Sequence, residues 1–91
     1  MPLMAEIPDI QAVETAEEYI HVRFRDPDEF EEIRTPDWAA EVAQSVSDGS
    51  EVRTGDMGND DWQVQSVLIQ KNAGEEKAKE QAREITEKIE S

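Results

Sequence analysis

Residues 62–71 read WQVQSVLIQK and form the most strand-like run of the chain. In an extended chain, successive side chains point to opposite sides. Trp62, Val64 and Leu68 therefore share one side of this run, whereas Val67 and Ile69 lie on the other. Apolar residues on both sides are typical of a strand with neighbours on either edge. We expect this run to lie inside a β-sheet, with the other elements packed around it.

Two arrangements explain the apolar residues on both sides. A central strand is covered on each side, or a β-bulge near Gln65 and Ser66 moves the later residues to the side of the earlier ones. The sequence leaves this choice open. If two helices cover only the other side, Val67 and Ile69 form an exposed apolar patch. Such a patch suits a partner, a second copy, or the chain's own N-terminal segment through Ile7, Ile10 and Val13.

Two segments before residue 50 have the periodicity of regular structure. Residues 18–25 alternate as in a half-buried strand, with three apolar side chains on one side: Ile20, Val22 and Phe24. Residues 35–37, TPD, predict a helix start with Thr35 as the N-cap. The helix has an apolar stripe that we expect to face the sheet: Trp38, Val42 and Val46, with Ala39 and Ala43 beside them.

The remaining segments complete the predicted sheet and add a second helix. Residues 51–54 predict a short strand that pairs with residues 62–71 through a long loop, giving a hairpin with a mobile tip. A last helix is expected from about Glu75 to Glu90. The apolar stripe of this helix is thin and consists of Ala78, Ala82, Ile85 and Ile89. We therefore expect the helix to fray toward Ser91.

These segments predict a two-layer α+β domain. The expected element order is β-α-β-β-α, with a three-stranded antiparallel or mixed sheet and two helices on one face. Residues 19–91 are predicted to form this single domain. Residues 1–18 carry five acidic residues, no basic residue, and prolines at Pro2 and Pro8. That composition predicts a flexible acidic N-terminal arm.

The net charge of −14 is the strongest compositional signal, from 23 acidic and 9 basic residues. Such a surface repels itself at low salt, and molar salt screens most of that repulsion. In this whole-chain character the protein resembles small acidic uncharacterised proteins of halophilic archaea. The resemblance implies a salt-adapted cytosol and no particular activity. An acidic mimic of nucleic acid is the competing interpretation, and the even spread of the acids favours the first.

Several classes of chemistry are disfavoured. The chain has no cysteine, which excludes disulfides and thiolate metal sites. Neither a secretion signal nor a membrane span is recognised, so a cytoplasmic location is expected. The four glycines match no phosphate loop or dinucleotide fingerprint, so no cofactor is expected. The single histidine, His21, is interpreted as a surface residue. The sequence therefore predicts a protein that is not an enzyme.

One loop and one cluster remain as candidate sites. The hairpin loop could place the oxygen ligands of Asp56, Asn59, Asp60 and Asp61 around Ca²⁺ or Mg²⁺. A solvated loop is the simpler interpretation, and no metal site is assigned. Four of the five arginines lie between residues 19 and 55. If the strands pair as predicted, an open sheet face collects seven candidate binding residues: Tyr19, His21, Arg23, Arg25, Arg53, Gln63 and Gln65.

This face suggests a non-enzymatic binding or interaction module. Arginines, an aromatic ring and amides on an open sheet could bind phosphates and stack bases, so a nucleic-acid-associated protein is one alternative. Cross-strand pairing of the arginines with Glu18 or Glu51 is the purely structural explanation. A small metal-assisted enzyme using the acidic loop is the other alternative. The partner, the oligomeric state and the docking of the arm are not determined by the sequence.

Overall fold

The computed structural model describes residues 9–56, 58 and 62–90. The strands are β1 (Ala12–Thr15), β2 (Tyr19–Arg23), β3 (Glu32–Arg34), β4 (Glu51–Asp56) and β5 (Trp62–Gln70). The helices are α1 (Asp37–Val46) and α2 (Glu75–Glu90), with short 3₁₀ turns at Pro27–Glu29 and Lys71–Ala73. No helix within this described part is long and apolar enough to cross a membrane.

The five strands form one antiparallel sheet in the order β1-β2-β5-β4-β3. The α+β class is confirmed, but the prediction of three strands in the order β-α-β-β-α is wrong. Both missed strands lie at the sheet edges and are only four and three residues long. Short edge strands with few apolar residues carry almost no alternation, so periodicity does not identify them.

The first edge strand begins inside the segment that was predicted to be an arm. Val13 of β1 pairs with Val22 of β2, and Val13 and Ile10 both pack against the hydrophobic core. The sheet therefore starts at Ala12 rather than at Tyr19. Residues 1–8, including Ile7, lie outside the described residues.

A β-bulge at Gln65 determines which side of β5 faces the helices. Arg53 of β4 lies opposite Ser66, while the next residue, Thr54, lies opposite Val64, so Gln65 has no partner on β4. One extra residue reverses the alternation of a strand. Of the two arrangements, the structure has the bulge. The apolar residues before and after the bulge in β5 therefore face the same core.

The bulge places Val67 and Ile69 in the core. Val67 pairs with Val22 and Val52, Ile69 pairs with Ile20, and both Val67 and Ile69 are 0% exposed. They belong to one hydrophobic cluster with the buried residues of both helices. The prediction that they form an exposed partner patch is wrong, because the helices cover their side of the sheet.

The two helices pack through alanines. In α1 the fully buried residues are Ala39 and Ala43, whereas Trp38 is 49% exposed and Val42 is half-buried. Of the predicted stripe, Ala39, Ala43 and Val46 therefore lie in or against the core, whereas Trp38 does not. The small alanine side chains let the helix lie close to its neighbours. Thr35 was also wrongly predicted as the N-cap. Pro36 occupies that position without a side-chain capping bond.

Helix α2 spans the residues that its periodicity predicts. Ala78, Ala82 and Ile85 are fully buried and Ile89 packs against the core. The helix contacts α1, β5 and β2. Its last residue, Glu90, is bound by Arg25 of the sheet, so this end is anchored where the sequence predicted fraying.

Candidate interaction surface

The side of the sheet that faces away from both helices is called the open face. Cross-strand partners lie on the same side of a sheet. The register therefore arranges the open face in rows across the strands. One row holds Glu14, His21, Leu68 and Glu51, the next holds Ala12, Arg23, Ser66 and Arg53, and Tyr19 lies beside Gln70.

Arg23 and Arg53 flank the central strand of this face. Both lie opposite Ser66, which is buried and donates its hydroxyl proton to Gln65 Oε1 at 2.9 Å. Arg23 Nη2 lies 3.7 Å from Glu14 Oε2, with both side chains well exposed. Arg53 makes no ion pair within the described residues. The open face thus holds one arginine that is loosely paired and one that is available to a ligand.

His21 lies in the adjacent row, and the charges of both arginines affect its pKa. Partial burial lowers the pKa of His21 below its ordinary value of 6.5, and the positive charges of Arg53 and Arg23 lower it further. Glu14 acts in the opposite direction. At His21 the effect of the two arginines is therefore larger than that of Glu14, although the whole chain carries a charge of −14.

Tyr19 is linked to Glu51 across the sheet. A side-chain hydrogen bond to Glu51, followed by the negative charge of that carboxylate, raises the pKa of the Tyr19 hydroxyl above 10.0. The raised pKa keeps the Tyr19 phenol protonated. A carboxylate has several acceptor sites, so Glu51 can accept a further donor at the same time.

The charges of the open face are balanced. Arg23 and Arg53 offset Glu14 and Glu51 on the same side of the sheet. The exposed glutamates of α2 lie on the opposite side, with the helix: Glu75, Glu76, Glu80 and Glu84. The open face is therefore depleted in acidic residues compared with the chain as a whole, where acids outnumber bases by 23 to 9.

An aromatic ring covers one end of the open face. Phe30 packs directly on Gly55, where a Cβ atom would overlap the ring. Ile33, opposite Gly55 in the register, is 37% exposed on this side. Phe30 and Ile33 thus extend the open face with apolar surface.

Five of the seven predicted binding residues share this face: Tyr19, His21, Arg23, Arg53 and Gln63. Gln63 lies opposite Gly55. Two predicted residues do not join them. Arg25 turns to the helix side, where Nη1 and Nη2 donate to Glu90 at 2.8 and 3.2 Å. Gln65 is buried in the bulge and donates to the Arg25 carbonyl oxygen at 2.9 Å.

A small pocket lies on the helix side of the sheet and was not predicted. Its volume is about 140 Å³, and five residues line it: Arg34, Pro36, Trp38, Thr54 and Trp62. The Arg34 guanidinium stands 5.7 Å from the centroid of the Trp62 ring, and its Nε donates to Glu32 at 2.7 Å. Trp38 and Trp62 are the two tryptophans of the chain, and both line this pocket. They are far apart in the sequence, so the sequence did not predict that they lie close together.

The candidate cation loop is described only at its start. Asp56 Oδ1 accepts a hydrogen bond from the Gly58 backbone N–H at 2.8 Å. Asn59, Asp60 and Asp61, and with them the predicted mobile tip, lie outside the described residues. In the part of the chain that is described, no three metal-ligating side chains cluster.

Comparisons with protein families, with curated proteins and with solved structures give no match to this chain. The assignment of a function therefore depends on the geometry of the open face.

Proposed function

We propose that the chain is a non-enzymatic interaction module of a salt-adapted cytosol that binds a macromolecular partner through the open face. The observation that carries this proposal is the charge balance of that face in a strongly acidic chain. Protein interfaces are depleted in Asp and Glu and enriched in Tyr, Phe and Arg. Tyr19, Arg23, Arg53 and Phe30 give the open face this composition.

The arrangement of the polar groups favours binding over catalysis. Nucleophilic catalysis by serine requires a base within hydrogen-bonding distance of the hydroxyl. The Ser66 hydroxyl instead donates to Gln65. His21, in the neighbouring row, has arginines as its main electrostatic neighbours. These groups can contact a ligand but do not form a nucleophile and base pair.

Hydroxyl-radical footprinting tests whether the open face is covered in the cell. Tyr19 and His21 report on the open face, and exposed Trp38 is the internal control on the helix side. We expect Tyr19 and His21 to be oxidised more slowly in a concentrated lysate of the source cells than in dilute purified protein, with Trp38 unchanged. Equal oxidation of Tyr19 and His21 in both samples would overturn the proposal.

A nucleic-acid ligand is the second candidate. The row Arg23–Ser66–Arg53 favours it, because two arginines on either side of a small residue can bind phosphate oxygens while Tyr19 stacks a base. Titrating short single-stranded oligonucleotides into the ¹⁵N-labelled chain in high KCl tests this candidate. Amide shifts confined to residues 19–23 and 51–53 would support it, and an unchanged spectrum would reject it.

A further inference from the structure

We propose that the open face docks onto the open face of a second copy of this chain, forming a dimer with two-fold symmetry. This inference rests on the proposed function, because it takes the open face as the binding surface. It goes further by identifying the occupant. The feature that selects a second copy is the order of the charges along β4.

Glu51 and Arg53 lie on the same strand and the same face, two residues apart. In a strand that separation is about 6.7 Å. Consider a two-fold axis that lies between two stacked sheets, at right angles to the strands and midway between the rows of Glu51 and Arg53. This axis puts Arg53 of each copy over Glu51 of the other. One symmetric contact therefore makes two opposite-charge pairs.

The rest of the face is compatible with this arrangement. The same axis brings the row of His21 and Leu68 over the row of Arg23 and Ser66 in the second copy. Leu68 is 6% exposed and Ser66 is 2% exposed, so neither projects enough to hold the sheets apart. Tyr19 and Phe30 add apolar area near the ends of the face. Sheets stacked in this way lie about 10 Å apart, a distance that side chains of this size can fill.

Charge distinguishes this contact from any other contact between two copies. Each chain carries −14, so two copies repel over most of their surfaces. In the paired rows of the open face two arginines balance two glutamates, and the proposed axis places Arg53 of each copy over Glu51 of the other. A second copy is thus electrostatically complementary to the open face, while its other surfaces are not.

The size of the face predicts a weak dimer. Five strands span about 19 Å across and the paired segments run about 20 Å, so two copies would bury on the order of 800 Å² in total. That area is below the range of standard specific interfaces and is typical of a weak contact. The repulsion between the remaining exposed charges weakens the dimer at low salt, and screening relieves it, whereas the Arg53–Glu51 pairs enclosed between the two sheets are screened much less. We expect a reversible dimer that becomes tighter as KCl rises to molar concentration.

Sedimentation equilibrium over a dilution series in molar KCl is the first measurement. We expect a monomer–dimer equilibrium for the wild-type chain. The variants Glu51→Arg and Arg53→Glu each place like charges over each other, and each should weaken the dimer by at least about tenfold. Arg83→Glu, on the exposed part of α2, makes the same charge change as Arg53→Glu and should leave the dimer unaffected.

Mixing the two single variants gives the decisive result. One variant then contributes two positive groups on β4 and the other two negative groups, so the mixture should form a heterodimer although neither variant self-associates. The double variant Glu51→Arg/Arg53→Glu should also dimerise, because its charges are exchanged but still complementary. Circular dichroism melting confirms that each variant is folded. Loss of a structural contact within one chain would not be restored by mixing.

Three outcomes would overturn the dimer. These are a wild-type monomer at every concentration in molar KCl, a dimer weakened equally by Arg83→Glu, and a mixture of the two variants that stays monomeric. If the chain is monomeric when pure but Tyr19 and His21 are protected in lysate, a different partner covers the open face. In that case the proposed function stands and the self-association does not.

Discussion

The side chains of Arg25 and Glu90 make the hydrogen bonds to the Val64 backbone that a residue of a neighbouring strand would otherwise make. Beyond Arg23, the backbone N–H groups of Phe24 and Arg25 both donate to the Gln65 carbonyl, at 2.9 and 3.2 Å, so β2 leaves Val64 without a backbone partner on this side. Arg25 Nη1 donates to the Val64 carbonyl at 2.7 Å, and the Val64 N–H donates to Glu90 at 3.0 Å. The ion pair therefore supplies the donor and the acceptor that a neighbouring strand would have supplied.

Removing Arg25 is expected to destabilise the fold strongly. Arg25 and Glu90 are only 18% and 13% exposed, so Arg25→Ala leaves a largely buried carboxylate at the C-terminal end of α2, where the helix dipole is also unfavourable. We expect a loss of about 3 kcal/mol in the free energy of unfolding, measured by urea denaturation.

Lys79→Ala provides the comparison for this prediction. The Lys79–Glu76 pair is 4.0 Å long, with the Glu76 side chain 98% exposed, so its removal should cost less than about 0.5 kcal/mol. Equal losses in the two variants would show that the Arg25 pair contributes no more than a surface pair.

Gly55 is predicted to be intolerant of a side chain because of Phe30. The added Cβ of Gly55→Ala would overlap the Phe30 ring, and displacing the ring should cost about 1–3 kcal/mol. Thermal or urea unfolding measures this loss. In a Phe30→Ala background the same substitution should cost much less. A cost that is identical in both backgrounds would mean that the ring is not what excludes the side chain.

His21 should titrate below its ordinary pKa of 6.5 because burial and then Arg53 disfavour the imidazolium ion. In the unfolded chain His21 takes up its proton at a higher pH than in the folded chain. Its contribution to stability is therefore present above pH 6.5 and is lost as pH falls through the folded pKa.

An NMR titration of the His21 Cε1–H resonance measures this pKa directly. Arg53→Ala should raise it toward the ordinary value, and Glu14→Gln should lower it further. If Arg53→Ala leaves the pKa unchanged, the two side chains are not neighbours on the open face.

Thermal stability should rise from low to molar KCl. At −14 the folded chain repels itself, and added salt screens that repulsion. Differential scanning calorimetry at low protein concentration separates this effect from dimerisation. A variant that neutralises three exposed acids should show a weaker dependence on KCl: Glu17→Gln, Glu41→Gln and Glu80→Gln. A midpoint that does not change with KCl would remove the argument for salt adaptation.

Periodicity predicted the elements that have one unambiguous apolar side. The alternation of Ile20, Val22 and Phe24 and the spacing of Ala78, Ala82 and Ile85 correspond to the observed buried residues. The phase of β5 was ambiguous because apolar residues occur on both of its sides, and only packing against the helices distinguishes them. The bulge was therefore recognised as an alternative and could not be selected.

The open face was predicted in part for a similar reason. Alternation from Tyr19 to Arg23 continues to Arg25 in the sequence, but β2 ends before that residue. The partner that draws Arg25 to the helix side is Glu90, which is 65 residues away. A local pattern contains no information about a contact at that separation. The contribution of Glu51 was missed because it was considered only as a counter-ion to the arginines.

Because of the bulge at Gln65, the residues of the hydrophobic core and the residues that can bind a partner lie on opposite sides of the sheet. By bringing Val64, Val67 and Ile69 onto one side, it leaves Tyr19, Arg23 and Arg53 outside the core. Substitutions on the open face can alter what is bound while the core stays the same, whereas an insertion or deletion in β5 would alter both. We expect descendants of this chain to diversify on the open face and to keep the length of β5 constant.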